Sequence, residues 1–570
     1  MKPLNELKFE EFPLNVPDEK KVLKKLSSFV KQLSEADSAK KMIAVINRYH
    51  KYSEALSTDM SVISIRYSLE TNNPEIKAAQ DKCDEISPLI ANVSTQFAKI
   101  LVESPFRPEL EKKYGEYLFK MAEASLKAFD EKIIPELIQE NKLSSEYDSI
   151  LGSAEIEFRG EKLNLSQLGK YTQDIDRETR KAAVKAMDKW MAEHEERIGQ
   201  IYGELVLLRD QMAHKLGFKN FVELGYLRLG RTDYNAEMVA NYRKQIAETV
   251  VPVAQKLYKK QMKLLGIRRP QHYDYALKFK SGNPKPAGDE KYLVEAGYKM
   301  YSDMGKETKE FYEMMMNRHL MDLTARKGKT TGGYMSYLPA YKAPFIFSNF
   351  NGTDGDVNVL THEGGHALQA YLSQNIKVPE YQSPTLEACE IHSMSMEFFA
   401  WKYAEEFFGK DAEKYKYLHL TDAIEFLPYG ISIDEFQHWV YENPNATHQD
   451  RCAKWLEIES RYTPHKRYDD APTYAHGAYW IRQSHVFGVP FYYIDYTLAQ
   501  VVAFQFFVEM NKNRERAFKK YIKLCKFGGQ APFVTLLAKN HLRNPFEDGN
   551  VAKVIKPLVK VLKGFDVEKF

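Results

Sequence analysis

His362-Glu363-Gly364-Gly365-His366 constrains this chain more than any other segment. Two imidazoles at positions i and i+4 meet a common partner only if the backbone between them is an α-helix, where those positions share a face. The spacing suits a tetrahedral Zn²⁺ taking two nitrogen ligands from one element. Glu363 lies about 100° around such a helix from His362, too close in sequence to be a third ligand. It does reach a water held by the ion, where a carboxylate acts as general base. With 15 histidines in 570 residues, chance alone yields H-E-x-x-H in roughly a few per cent of chains this long, so the flanking sequence has to support it.

Upstream, Pro344 to Phe350 reads as a short aromatic strand, and the turn Gly352-Thr353-Asp354-Gly355 caps a helix beginning near Asp356. Val357, Leu360, Ala367, Leu368 and Tyr371 give that helix an apolar stripe, and it frays around Ser373 to Asn375. Gly364 and Gly365 are unexpected inside it, since each costs about 1 kcal/mol relative to Ala. Glycine beside metal ligands fits a place where another backbone approaches closely, such as a strand flanking a bound substrate; helix packing alone is the alternative.

A zinc hydrolase needs a third protein ligand and leaves the fourth position to water. A second helix, started by Ser383-Pro384, carries Glu387, Glu390, Met394 and Glu397 at i, i+3, i+7 and i+10, along one face. Burying three carboxylates together is costly without a cation. The aromatic and methionine residues around them argue against a solvated acidic stripe. Spacing leaves both Glu387 and Glu390 open as the ligand.

H-E-G-G-H followed downstream by Glu387-Ala388-Cys389-Glu390-Ile391-His392-Ser393-Met394-Ser395-Met396-Glu397 resembles the thimet oligopeptidase and oligoendopeptidase F family of zinc peptidases, most closely its Pz-peptidase branch. The resemblance implies one Zn²⁺ per chain held by His362, His366 and Glu390, with Glu397 in a supporting shell. Gly365 matches a glycine the family carries before its second histidine, while Gly364 falls where the family accepts many residues. Arg326 to Tyr334 resembles the glycine-containing edge strand beside bound peptide, implying that Gly332, Gly333 and Tyr334 bind substrate through main-chain pairing tolerant of side-chain identity. Read alone, the segment is a Gly-rich turn. His485 to Tyr496 resembles the family's His and Tyr cluster facing the zinc, which implies His485, Tyr493 and Tyr496 as oxyanion donors and Tyr492 as a substrate contact. The separation from His485 is one residue shorter than in the thimet branch, so Tyr492 and Tyr493 both stay open for the oxyanion position.

The resemblance further implies a mainly α fold of two helical lobes around a deep substrate channel, with a small β-sheet near the metal site. Such a zinc endopeptidase admits short unstructured oligopeptides and excludes folded proteins by size. Zinc-activated water attacks the scissile carbonyl, and Glu363 takes its proton and returns it to the leaving amine. A dipeptidyl carboxypeptidase shares this ligand order but needs a cation for the substrate's C-terminal carboxylate, for which Arg451, Arg461, Lys466, Arg467 and Arg482 are available. A helical binding scaffold without activity is disfavoured by the complete set His362, Glu363, His366 and Glu390.

A chain of 570 residues with 44% hydrophobic content exceeds one typical domain and folds as lobes. Helical periodicity fills Asp176 to Leu216, ended by Gly217, and recurs over Ala236 to Leu265 and Glu290 to Met316. Ser281-Gly282-Asn283-Pro284-Lys285-Pro286-Ala287-Gly288 is the clearest linker. It divides an N-terminal helical domain, 1–280, from a mainly helical zinc-binding catalytic domain, 289–570. The net charge of +3 from 81 basic and 78 acidic residues gives no reason to expect nucleic acid as a partner, nor does the sequence set an oligomeric state. Met1 to Glu10 lacks the apolar core of a secretory signal. Tyr492 to Val508 is interrupted by Asp495, Gln500 and Gln505, which makes it a buried helix rather than a membrane span. Cys83, Cys389, Cys452 and Cys525 form no CxxC pair, consistent with reduced thiols and a cytoplasmic location. Cys389 points about 100° away from Glu390 on its helix and reads as core packing.

Overall fold

Asp18, Ser38 and Asn73 each turn a side-chain oxygen onto a backbone N–H of the turn that follows, and from these caps run the helices Glu19–Ser34, Ala39–Leu69 and Pro74–Val102. Their apolar stripes, with Val22, Leu26, Val45, Ile86 and Phe97 at the centre, pack into small clusters of their own. The computed structural model that shows them describes residues 3–570; Met1 and Lys2, the start of the stretch read for a signal, lie outside it. Beyond this bundle the chain is again mainly helical, with a two-stranded hairpin at Ile156–Phe158 and Glu161–Leu163 and a three-stranded sheet. Arg177–Lys215 starts at the Asp176 cap and is followed by Gly217 at φ +88°, a left-handed stop that L side chains rarely adopt.

Two stretches with continuous apolar periodicity are each broken. Ala236–Thr249 and Val251–Leu265 are separate helices because Pro252, in the first turn of the second, has no N–H to continue the ladder. Gly305 at φ +153° divides Glu290–Met304 from Lys306–Asn317. Periodicity survives such a break because the apolar face resumes in nearly the same phase.

In the three-stranded sheet Ala343–Phe350 is central, parallel to Met321–Thr324 and antiparallel to Tyr334–Leu338. Nearly every residue of the central strand is buried, which explains its unbroken apolar run. Tyr334–Leu338 is an edge strand. The expected edge strand therefore begins only at Tyr334; Arg326 to Gly333 is a loop, whose Gly332 takes φ +91°.

One large core cluster reaches from Phe9 to Val567. The 281–288 stretch is coil. Core packing passes beside it, with Phe279 against Tyr417 and the Ala287 N–H on the Phe407 carbonyl. Tyr493–Met510 lies within this core, and among the described residues no helix is long and apolar enough to cross a membrane.

Candidate metal centre and active site

The helix carrying His362 and His366 spans Gly355–Ser373. Asp354 makes no capping bond. Asp356, in the first turn, instead accepts the Asn351 and Gly352 N–H groups at 2.9 and 2.8 Å, tying the end of the central strand to the helix start. Against this histidine helix packs the glutamate helix, Leu386–Phe399, which begins after Thr385 so that Pro384 sits in the preceding turn. Gly365 is the point of closest approach. A Cβ there would stand 2.7 Å from the His392 carbonyl oxygen and 2.8 Å from Ser393 Cα, both backbone atoms that cannot swing aside. The approaching backbone is thus the glutamate helix, not a substrate strand, while a Cβ on Gly364 would strike the Tyr301 hydroxyl. Gly365→Ala is expected to wedge the helices apart and destabilise the fold by about 1–3 kcal/mol, read as a lowered thermal midpoint. An unchanged midpoint would show that the helix pair has slack.

His362 Nε2 and His366 Nε2 lie 3.2 and 3.5 Å from Glu390 Oε2. Ligand bonds of about 2.0–2.1 Å at tetrahedral angles place neighbouring donor atoms about 3.3–3.4 Å apart, so these three groups fit a zinc-sized cation as they stand. Burial opposes ionisation of Glu390, and the two imidazoles overcome it, holding the carboxyl well below its ordinary range. Glu390 Oε2 also accepts the Ser393 hydroxyl at 3.0 Å. Glu387, the alternative left open by spacing, is buried with neither carboxylate oxygen hydrogen-bonded. Burial lifts it to about 7 against the pull of Arg231. It feels the charge of Arg231 and is absent from the converging group.

Glu397 bridges two imidazoles, with Oε1 2.7 Å from His362 Nδ1 and Oε2 2.7 Å from His419 Nε2. The Trp401 indole N–H, which can only donate, gives its proton to His419 Nδ1 at 3.0 Å. His419 therefore carries its proton on Nε2 and gives it to Glu397. The other Glu397 oxygen receives Nδ1–H of His362, which leaves the Nε2 lone pair aimed at Glu390 and any ion between them. Neither Trp401 nor His419, on the Ala412–Glu442 helix, carried a signal in the sequence, because nothing local links them to the motif.

Glu363 is buried, and burial lifts its carboxyl above the ordinary range while His362 and His366 pull it down. Gly333 faces it: a Cβ there would lie 3.8 Å from Glu363 Oε1 and 3.4 Å from the Phe347 carbonyl oxygen. The Gly332 carbonyl accepts from Asn349 Nδ2 at 2.9 Å. The Tyr334 ring stacks on Phe347, its cross-strand neighbour.

On the opposite side, His485 Nδ1 accepts from Gln483 Nε2 at 2.8 Å, which puts the ring proton on Nε2, 3.2 Å from the Tyr496 hydroxyl. Burial holds His485 down to about 4, so near neutral pH it is an uncharged donor. The Tyr492 hydroxyl donates to Glu390 Oε1 at 2.5 Å. The Tyr493 ring packs instead among Phe426, Tyr429 and His485. Tyr492 is presented by a strained residue: Phe491 has φ +68°, its carbonyl accepts from Arg231 at 2.7 Å and its N–H donates to Gln437 at 2.8 Å. Arg231, fully buried, also pairs with Asp495 at 2.6 Å in the first turn of the tyrosine helix.

A helical fold with an H-E-x-x-H helix, a carboxylate helix packed across it and a facing row of His and Tyr side chains defines a metallopeptidase. The chain belongs to peptidase family M3: the family's profile matches residues 170–554, and that of the peptidase M3 N-terminal domain matches residues 9–129. It is similar to the oligoendopeptidase F homologue of Borreliella burgdorferi, 22% identical over 516 residues, covering 85% of this chain and 84% of that one. The homologue of Mycoplasma genitalium is 22% identical over 370 residues, 61% of this chain and 58% of its own. The structure of Pz peptidase A with an inhibitor superposes with a TM-score of 0.97 at 46% identity, covering 98% of this chain and all of that one.

Proposed function

We propose that this family M3 peptidase is a zinc endopeptidase that cuts internal bonds of short unstructured peptides, with Glu363 as general base. The observation that carries this is the convergence of His362 Nε2 and His366 Nε2 on Glu390 Oε2 within 3.5 Å, with Glu363 beside them facing Gly333. His362, His366 and Glu390 would hold the ion. When bound, Zn²⁺ supplies Lewis acidity, polarising a carbonyl and bringing the pKa of a water toward about 7.

The side chains do the rest. Glu363, lifted by burial, takes a proton from the attacking water and returns it to the leaving amine. His485 Nε2–H and the Tyr496 hydroxyl donate to the developing oxyanion, a type of contact whose loss typically costs about 2.7–4 kcal/mol of barrier. Of the two tyrosines that spacing leaves open, Tyr492 is the one assigned to this donor row, on the strength of its hydrogen bond to Glu390; Tyr493 lines the wall beside it. An extended peptide pairs with the outer edge of Tyr334–Leu338, where Gly332 and Gly333 keep the approach to Glu363 clear. Glu397 holds the imidazole of His362 in the ligating tautomer.

A peptide blocked at both ends tests the endopeptidase assignment. Mass analysis is expected to show a cut at an internal bond. Resistance of the blocked peptide, with dipeptides released from its unblocked counterpart, would favour the carboxypeptidase reading. In that case Arg451, Arg467 and Arg482 are the cations to examine, since none has a carboxylate within 4.0 Å among the described residues, whereas Arg461 pairs with Glu435 and Lys466 with Glu459.

A further inference from the structure

We infer that the chain holds a second transition-metal site, built from Glu195, His448 and Cys452 with His476 hydrogen-bonded to Glu195, which takes Zn²⁺ and serves as a structural clip. His448 and Cys452 are i and i+4 in the His448–Tyr462 helix, so they share a face at its N-terminal end. That face meets Glu195 of the long Arg177–Lys215 helix. His448 Nε2 lies 2.8 Å from Glu195 Oε1 and 3.5 Å from Cys452 Sγ. His476, just after the Pro472–Ala475 helix, puts its Nε2 2.7 Å from the same Glu195 oxygen.

The alternatives are a catalytic relay and a plain hydrogen-bonded cluster. A Cys-His-Glu relay needs the thiol and the carboxylate on opposite nitrogens of the imidazole. Here both sit on Nε2, and His448 Nδ1 is buried without a hydrogen-bond partner. In a plain hydrogen-bonded cluster one Glu195 oxygen readily accepts from both imidazoles, but the single proton on His448 Nε2 serves only one of its two neighbours, Glu195 and Cys452 Sγ. The donor atoms of Glu195, His448 and Cys452 all lie within 4.8 Å of one another, as a shared cation requires. The 3.5 Å between Cys452 Sγ and His448 Nε2 matches the roughly 3.5 Å that tetrahedral bonds of about 2.3 and 2.0 Å dictate. The two Glu195 separations are hydrogen-bond lengths, which open by about half an ångström when an ion replaces the shared protons.

The backbone is shaped around this cluster. A Cβ on Gly199 would come 2.8 Å from His448 Nδ1, so the ring sits where only glycine leaves room. Gly477, at φ +103°, lies so close to the Cys452 carbonyl that no Cβ fits there either. Cys452 is buried, the Glu195 and His448 side chains are mostly buried and that of His476 is half exposed, giving an ion a route in. Imidazole, thiolate and carboxylate donors together favour Zn²⁺ over the hard cations Mg²⁺ and Ca²⁺. Such an ion would tie the long helix, the His448–Tyr462 helix and the segment from His476 to His485, which places a donor in the active site.

Cobalt substitution tests this independently of peptidase activity. Metal-stripped protein reloaded with Co²⁺ is expected to bind about two ions per chain and to show a near-ultraviolet sulfur-to-cobalt charge-transfer band, since the first site offers no thiolate. Cys452→Ser should abolish the band, and the milder His476→Ala should weaken uptake of one ion about 10-fold or more with the circular dichroism of the native fold. A protein in which His362 and His366 are both Ala should keep the band and about one ion while losing activity. Folded wild-type protein that takes up a single Co²⁺ with no thiolate band would overturn the second site while leaving the first intact.

Discussion

Glu363→Gln is expected to leave the protein folded and zinc-loaded while lowering peptidase turnover about 10²–10⁴-fold, equivalent to about 2.7–5.5 kcal/mol of barrier. Gln has the same shape and keeps an acceptor oxygen, but it cannot take a proton. The substitution removes little else. Among the described residues Glu363 makes no ion pair as donor or acceptor to Lys or Arg, and its charged form is disfavoured chiefly by burial. Neutralising it therefore relieves a desolvation cost, and the thermal midpoint should hold or rise. Turnover of an oligopeptide and metal analysis on the same preparation check both halves. Turnover near that of the unaltered protein would remove Glu363 as the base.

Glu390→Ala should raise the zinc concentration that restores half-maximal activity to metal-stripped protein by more than about 100-fold, since even groups one step out from a metal typically cost 10–100-fold in affinity. Among the described residues Glu390 is the one carboxylate that reaches both histidines, and it also receives the Tyr492 and Ser393 hydroxyls. Its loss would remove the anionic member of the proposed ligand set and the acceptor of the Tyr492 hydroxyl, while the Ser393 hydroxyl keeps the Glu390 main-chain carbonyl. Glu387→Gln is the matched control, since Glu387 feels the charge of Arg231 and is near half-protonation at neutral pH, with a pKa of about 7. Reading the zinc titration through activity keeps it specific to this site. If Glu390→Ala titrates like the unaltered protein and Glu387→Gln does not, the ligand is Glu387.

Much of the site was legible because it is local. His362 and His366 share a face through the pitch of one helix, and the aromatic strand and turn before them fold as their composition demands. The mainly helical fold followed from periodicity together with the family resemblance. What misled was also local: apolar periodicity ran on through Pro252 and Gly305, where the backbone breaks, and the glycine-rich loop before Tyr334 read as strand. The reason for Gly365 lay beyond reach, because the atoms that demand it belong to His392 and Ser393 on another helix.

By itself, then, the order of residues determined which side chains lie on one helical face: the histidine pair, with its acid about 100° around the helix, and the row of three glutamates. Tertiary packing alone decided how those faces meet. Glu390 rather than Glu387 reaches the imidazoles because the contact at Gly365 sets the depth of one helix against the other. Tyr492 meets Glu390, 102 residues away, because Arg231 and Gln437 hold Phe491 in a strained turn. Helical pitch is dictated by bonds between near neighbours, whereas the depth and rotation of a packed helix are set by atoms on other elements, as with Arg231 and Phe491, 260 positions apart along the chain.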